Sequence, residues 1–202
     1  MRTGGKSPMH KLSGQRWPIR LALSALVVVV VCSCEFRKTG WEEEVLLNNS
    51  KVVRVERHDN VRRSQRIGDK SSEFILESRM SITDSNGRKP EWRDGLEILL
   101  LATDPVTGEY VVVCTATDEI KWRERGSPAP PYWQFRLRDG KWVEQPLDDF
   151  VFEMDVNMVF DRNRASKHSG VVPLATKAQW MSQYSAAKYL RTIKRDARLG
   201  ID

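Results

Sequence analysis

One apolar run near the N-terminus divides this chain of 202 residues into two unlike parts. Leu21 to Val31 reads Leu-Ala-Leu-Ser-Ala-Leu and then only valine. A bilayer span takes ~20 apolar residues, so the run is too short to cross. It follows Arg16 and Arg20 and ends in Val31-Cys32-Ser33-Cys34. A basic start, a short apolar core and a small-residue cleavage site make a secretory signal. An aliphatic residue, a tolerant position, a small residue and a cysteine are what a lipoprotein signal peptidase requires. Residues 1–33 are therefore expected to be a cleaved leader, with an acyl group on Cys34. Cys32 fits worse, because Val31 would fall at the small-residue position. An uncleaved anchor would bury Arg20, at a cost of roughly 3 kcal/mol.

The division changes what the charge means. The chain has 33 basic and 27 acidic residues, a net +6. Five of the bases (Arg2, Lys6, Lys11, Arg16 and Arg20) and none of the acids lie in the leader. The remainder carries 28 bases against 27 acids. A nearly neutral domain has no electrostatic case for nucleic-acid binding. Three cysteines are present: Cys32, Cys34 and Cys114. With the first removed and the second acylated, Cys114 has no partner for an internal disulfide. It sits in Val111-Val-Val-Cys-Thr115 and reads as a small buried apolar residue.

Beyond Cys34, residues 34–40 read as a tether and 41–175 as a β-rich domain. Trp41-Glu-Glu-Glu-Val-Leu-Leu47 and Lys51-Val-Val-Arg-Val-Glu-Arg57 flank Asn48-Asn49-Ser50, a hairpin signal. Val53 and Val55 alternate with Arg54 and Glu56, which gives one dry and one wet face. His58 to Ser72 is polar and is expected to be an exposed loop. Glu73 to Thr83 is a strand candidate, closed by a turn at Asp84-Ser-Asn-Gly87. Leu96 to Ala102 and Tyr110 to Thr115 flank a second hairpin, Asp104 to Glu109. Their apolar runs are nearly continuous, which predicts central strands covered on both faces. Tyr132 to Leu137 and Lys141-Trp-Val143 flank Arg138-Asp-Gly140, the clearest hairpin in the chain. Phe150 to Met154 with Val156 to Phe160 allows one more strand. The period then changes. Thr176-Lys-Ala-Gln179 has the form of a capping box. Trp180, Tyr184, Ala187, Leu190, Ile193 and Ala197 follow at helical spacing, with a basic opposite face. The expected fold is mainly β: an antiparallel, hairpin-rich sheet, curled or sandwiched, with one C-terminal amphipathic helix over residues 176–198 packed on it.

Several of these segments resemble an uncharacterised family of proteobacterial membrane lipoproteins. The similarity runs through Trp41 to Arg57, Leu100 to Thr115, Lys121-Trp122, Gly126-Ser-Pro-Ala-Pro-Pro-Tyr132 and Phe135 to Trp142. The most specific part is Trp-x-x-x-Gly-x-Pro-x-Pro-Pro-Tyr. The resemblance implies a β-rich extracytoplasmic domain. It carries over no catalytic residue, cofactor or substrate.

No motif with the spacing of a known chemistry stands out. The domain has His58, His168 and one free cysteine, whereas zinc takes three or four such ligands. Neither metal nor cofactor is expected. Glu42-Glu43-Glu44 and Asp148-Asp149 are adjacent acids, which in a strand point to opposite faces. They read as a solvated edge. There is no nucleophile elbow, phosphate loop or dinucleotide fingerprint. One segment is a candidate interaction site. Trp122, Arg123, Arg125, Tyr132 and Trp133 surround Pro128, Pro130 and Pro131, joining aromatic rings and arginine on a stiff backbone. The competing reading is that these rings cover one end of the sheet. The basic face of the C-terminal helix is a second surface that could lie on lipid headgroups.

The expected function is that of a non-catalytic envelope or interaction lipoprotein. It would be held to a membrane through Cys34 and face the periplasm. An envelope hydrolase is the alternative. Glu35 rather than Asp after the cysteine makes the outer membrane the default over the inner.

Overall fold

The computed structural model describes residues 35–64, 72–83, 87–183 and 192–198. The chain is mainly β. Strands β1 (Glu35–Leu46), β2 (Val52–Ser64), β3 (Ser72–Ile82) and β4 (Glu91–Asp94) form one sheet with the short β9 (Val171–Val172). Its order is β4-β3-β2-β1-β9, antiparallel except for the β1–β9 pair. Strands β5 (Glu97–Thr103), β6 (Tyr110–Thr115), β7 (Tyr132–Arg138) and β8 (Lys141–Gln145) form a second, wholly antiparallel sheet in chain order. Among the described residues, three α-helices complete the fold: α1 (Glu119–Glu124), α2 (Arg162–Ala165) and α3 (Leu174–Gln183).

All three expected hairpins are present. Ser50 takes the positive φ of the β1–β2 turn, at 64°. The neighbouring Asn48 stitches the two sheets together. Its Nδ2 donates to the Thr103 carbonyl at 2.8 Å, and its Oδ1 accepts the Thr103 N–H at 2.9 Å. In the β7–β8 turn Asp139 and Gly140 have φ of 49° and 76°. Two positive φ values in sequence match the right-handed twist of the flanking strands.

The two sheets share one apolar core. Val45, Val55, Met80, Ile82 and Trp92 of the first sheet meet Ile98, Leu101, Val112, Cys114, Trp133 and Phe135 of the second. The second sheet is also covered on its far face. A bulge between Ile98 and Leu100 turns both Leu99 and Leu100 outward from the shared core. They join Val111, Val113, Tyr132, Val151, Val156 and Ile193 in another apolar cluster. The unbroken hydrophobic runs of β5 and β6 thus follow from burial on both faces.

Four local expectations are corrected. Residues 35–40 are no tether: Glu35 already opens β1, paired with Arg63 of β2. His58 to Ser64 is no loop, because it is the partner that extends this ribbon. The segment from Phe150 to Phe160 is no strand of either sheet. It starts in a 3-10 turn, Asp149–Val151, and lies over the second sheet, with the Asn157 Oδ1 accepting the Leu101 N–H at 2.9 Å. The C-terminal helix is also shorter and earlier than residues 176–198. It begins at Leu174 behind Pro173, where the Glu44 carboxylate accepts the Leu174 N–H at 3.2 Å. A carboxylate from another strand thus stands where the Thr176 box was expected to cap. Residues 184–191 of the expected helix lie outside the described residues. Thr192 to Arg198 is not helical: Ile193 pairs through its backbone with Glu153 and Met154, at 2.8 and 2.9 Å. Trp180 and Ile193 therefore serve two different cores rather than one helical face.

Candidate functional site

The segment around Trp122 is built from inside its own chain. Asp118 caps α1, its Oδ1 accepting the Lys121 N–H at 2.8 Å. Gly126, with φ of 86°, closes the helix, and the Ser127 N–H then reaches back to the Trp122 carbonyl at 3.0 Å. A left-handed residue is the usual way to end a helix, and glycine adopts it without strain. Trp122 is half-buried against the shared core, and its Nε1 donates to the Pro128 carbonyl at 3.1 Å. Tyr132 and Trp133 are buried as the first residues of β7, one facing each cluster. Burial pushes the Tyr132 phenol up, opposed by a hydrogen bond with the Lys194 backbone.

Arg125 is held equally firmly. Its Nη1 donates to both Asp94 oxygens, at 2.8 and 2.7 Å, and its Nη2 to Glu144 at 2.5 Å. The guanidinium lies 5.5 Å from the Trp133 ring and 5.9 Å from that of Phe135. Only Arg123 of the five candidate residues faces solvent, paired with Glu119 one turn earlier. The rings that suggested a binding patch thus cover one end of the sheets, and Arg125 ties β4 and β8 to that lid.

A second cluster lies beneath the first sheet. The inner face of β1 and β2 carries Trp41, Glu43, Arg57 and Asp59, all buried, with Glu43 at 0 % and Arg57 at 1 % exposure. Glu43 is saturated. Its Oε1 accepts the Trp41 indole N–H at 3.2 Å, and its Oε2 accepts the Val159 N–H at 3.1 Å and the Lys177 ammonium at 2.6 Å. The same ammonium donates to the Glu44 and Asn157 carbonyls at 2.7 and 2.5 Å. Burial pulls the Lys177 pKa down, while the Glu43 carboxylate resists that shift. Asp59 accepts the Ser78 hydroxyl at 2.5 Å and Arg162 Nε at 2.7 Å. Arg162 also reaches Glu97 of the second sheet. Burial opposes the Arg162 charge, but Glu97 and Asp59 outweigh it and raise its pKa.

Arg57 sits between the two acids, 3.5 Å from each, with its guanidinium 4.9 Å from the Trp41 ring. Its Nε and Nη1 make no hydrogen bond among the described residues. Three acids (Glu43, Asp59, Glu97) thus face three bases (Arg57, Arg162, Lys177). The charges balance, and each carboxylate is already engaged by cations. A depression lies beside this cluster, lined by Val159, Phe160, Asp161, Lys177, Trp180 and Met181, but it holds only about 10 Å³. That is room for no more than one water. The cluster's chemistry is to pin α2, α3 and residues 157–162 against the first sheet.

Sequence reasoning missed this cluster. It read Glu42-Glu43-Glu44 as a solvated edge, whereas Glu43 is fully buried and Glu44 caps α3. The alternation of β1 signals that Glu43 shares a face with Trp41 and Val45, but two of its partners, Val159 and Lys177, arrive more than 100 residues later.

The remaining candidates fall apart in space. Cys114 is buried in the shared core, and desolvation lifts its thiol well above the ordinary range. His58 is exposed on β2 beside Glu56, 3.0 Å away. His168 packs edge-on against Trp180 at 5.8 Å. No group of three or more histidine, cysteine or acidic side chains is placed to hold a metal among the described residues. Cys34 itself lies outside them. Comparison with protein-family models, with curated proteins and with solved structures returned no match.

Proposed function

We propose that this chain is a lipid-anchored extracytoplasmic protein of the cell envelope, with a binding or structural role rather than a catalytic one. The observation that carries the reading is Val31-Cys32-Ser33-Cys34 at the end of a basic, then apolar, leader. The resemblance of several segments within residues 41–147 to proteobacterial membrane lipoproteins supports it. The periplasmic face of the outer membrane is the proposed address, on the strength of Glu35 following Cys34.

The hydrolase alternative called for titratable groups converging in a pocket. His58 and His168 stand apart, and the acids that do converge are consumed in ion pairs. This favours the binding reading. The test is direct. In a bacterial host fed a labelled fatty acid, Cys34→Ser should abolish acylation and leave an uncleaved precursor, while Cys32→Ser should change neither. Equal labelling of the Cys34 variant would overturn the proposal.

A further inference from the structure

The end of the first sheet nearest Cys34 carries an unusual row of side chains. Phe36 of β1 stands opposite Arg62 of β2, and Arg62 stands opposite Phe74 of β3. Directly opposed residues share a face, so an arginine is flanked by two aromatic rings on the outer side of the ribbon. Phe36 is 65 % exposed, the most open aromatic ring among the described residues. The Arg62 guanidinium lies 5.6 Å from the Phe74 ring. The next row on this face holds Lys38, Asn60 and Glu77, and Glu77 is engaged by Arg79 at 2.6 Å and Arg93 at 2.7 Å. The nearest other acids among the described residues, Glu35 and Glu73, stand opposite Arg63 on the reverse face, and Glu35 is bound by Arg37 at 2.7 Å.

We infer that the Phe36–Arg62–Phe74 row rests in the headgroup layer of an anionic membrane and sets the domain upright on it. The inference rests on the proposed acylation of Cys34. Two residues of extended chain reach ~7 Å, so an acyl chain on Cys34 fixes Phe36 within about that distance of the membrane surface. A tether of residues 34–40 would have left the domain free to turn, but residues 35–40 are already strand. Aromatic rings with interleaved arginine are the side chains that settle at the boundary of headgroups and acyl chains. Arg62 and Lys38, which have no acidic partner among the described residues, select phosphate-rich, anionic headgroups. At the other end of β1, roughly 36 Å away, the β1–β2 and β5–β6 turns would face the aqueous space.

The test uses the mature acylated protein in vesicles of phosphatidylethanolamine and phosphatidylglycerol, with and without brominated acyl chains. Phe36→Trp adds one emitter in the row. Val106→Trp adds one in the β5–β6 turn, where Val106 is 92 % exposed. Brominated lipid should remove about half of the emission added at position 36 and leave that at 106 unchanged. Arg62→Glu in the Phe36→Trp background should restore the lost emission. An N-terminal peptide mass showing acyl-Cys34, with no quenching at 36 or equal quenching at both positions, would overturn the inference and leave the anchor standing. An unmodified Cys34 would overturn both. A blue shift at 36 that follows protein concentration rather than lipid would assign the row to contact between copies and refute the membrane reading.

Discussion

From Trp41 to Val45, strand β1 turns one face inward, yet the two halves of that stretch meet different interiors. Val45 enters the apolar core shared by the sheets, among Val55, Ile82 and Trp92. Two and four residues earlier, Glu43 and Trp41 enter a layer of ion pairs closed by Lys177 and Arg57. Both halves are equally dry. What differs is the coverage: β-sheet over one half, and helices α2 and α3 with residues 157–162 over the other. Apolar packing tolerates many partners, whereas a buried carboxylate tolerates only those that satisfy it. The charged half therefore specifies which late segment docks on the sheet, and the apolar half supplies bulk stability.

The largest effect is expected in the charged half. Glu43→Ala leaves Lys177 and Arg57 buried without their shared anion, and should cost about 3–5 kcal/mol in chemical denaturation. Pairing it with Lys177→Met should cost less than the two single changes added together, because the uncompensated charge goes with its partner. Strict additivity would show that the two side chains do not act as a unit.

A change in the apolar half comes next. Trp133→Ala empties a site between Cys114, Phe135 and the Arg125 lid, and should lower stability by about 3–4 kcal/mol. A loss of under about 1 kcal/mol would mean that the ring is not a packing residue and would reopen its segment as a binding surface. Arg125→Ala in the same lid should cost less, about 2 kcal/mol, because Asp94 and Glu144 can turn toward water.

The same contrast explains what could be foreseen. Hairpins were legible because their cause is local: Asn48-Asn49-Ser50 and Asp139-Gly140 carry their turn geometry in adjacent residues. The double-sided burial of β5 and β6 was legible because an unbroken apolar run has few other homes. The C-terminal helix was visible as an element and wrong in extent. Trp180 and Ile193 share a helical period, but Ile193 belongs to a backbone bridge over the second sheet. The ion layer was illegible for a stronger reason. Glu43, Arg57, Glu97, Arg162 and Lys177 come from five separate segments, and none of them differs in sequence from an ordinary surface charge. Short strand β4 was missed because only Trp92 of its four residues is buried. The aromatic lid was legible as a feature and ambiguous in role, since buried and binding rings look alike until the Trp122 indole finds Pro128.

The smallest effect concerns a charged site outside both halves, at the end where the sheets are stitched together. Asp104 opens the β5–β6 turn, accepting the Val106 and Thr107 N–H groups at 2.7 and 2.8 Å and facing Arg136 at 2.5 Å. The Thr107 and Val106 backbone bonds and the Arg136 cation outweigh burial and hold its carboxyl down from 3.8 to about 2. A depressed folded-state pKa stabilises the protein above the unfolded value, and that contribution disappears as the pH falls toward the folded value. Asp104→Asn keeps an acceptor for the two N–H groups and removes the titrating charge. The stability gap between parent and variant should then stay level above about pH 5 and narrow by about 1–2 kcal/mol between pH 4 and 2. Parallel stability curves through that window would show that neither the Thr107 and Val106 N–H groups nor Arg136, which also meets Glu109 and Asp148, draws on the Asp104 charge. The turn would then be held by backbone geometry alone, as the other hairpins are.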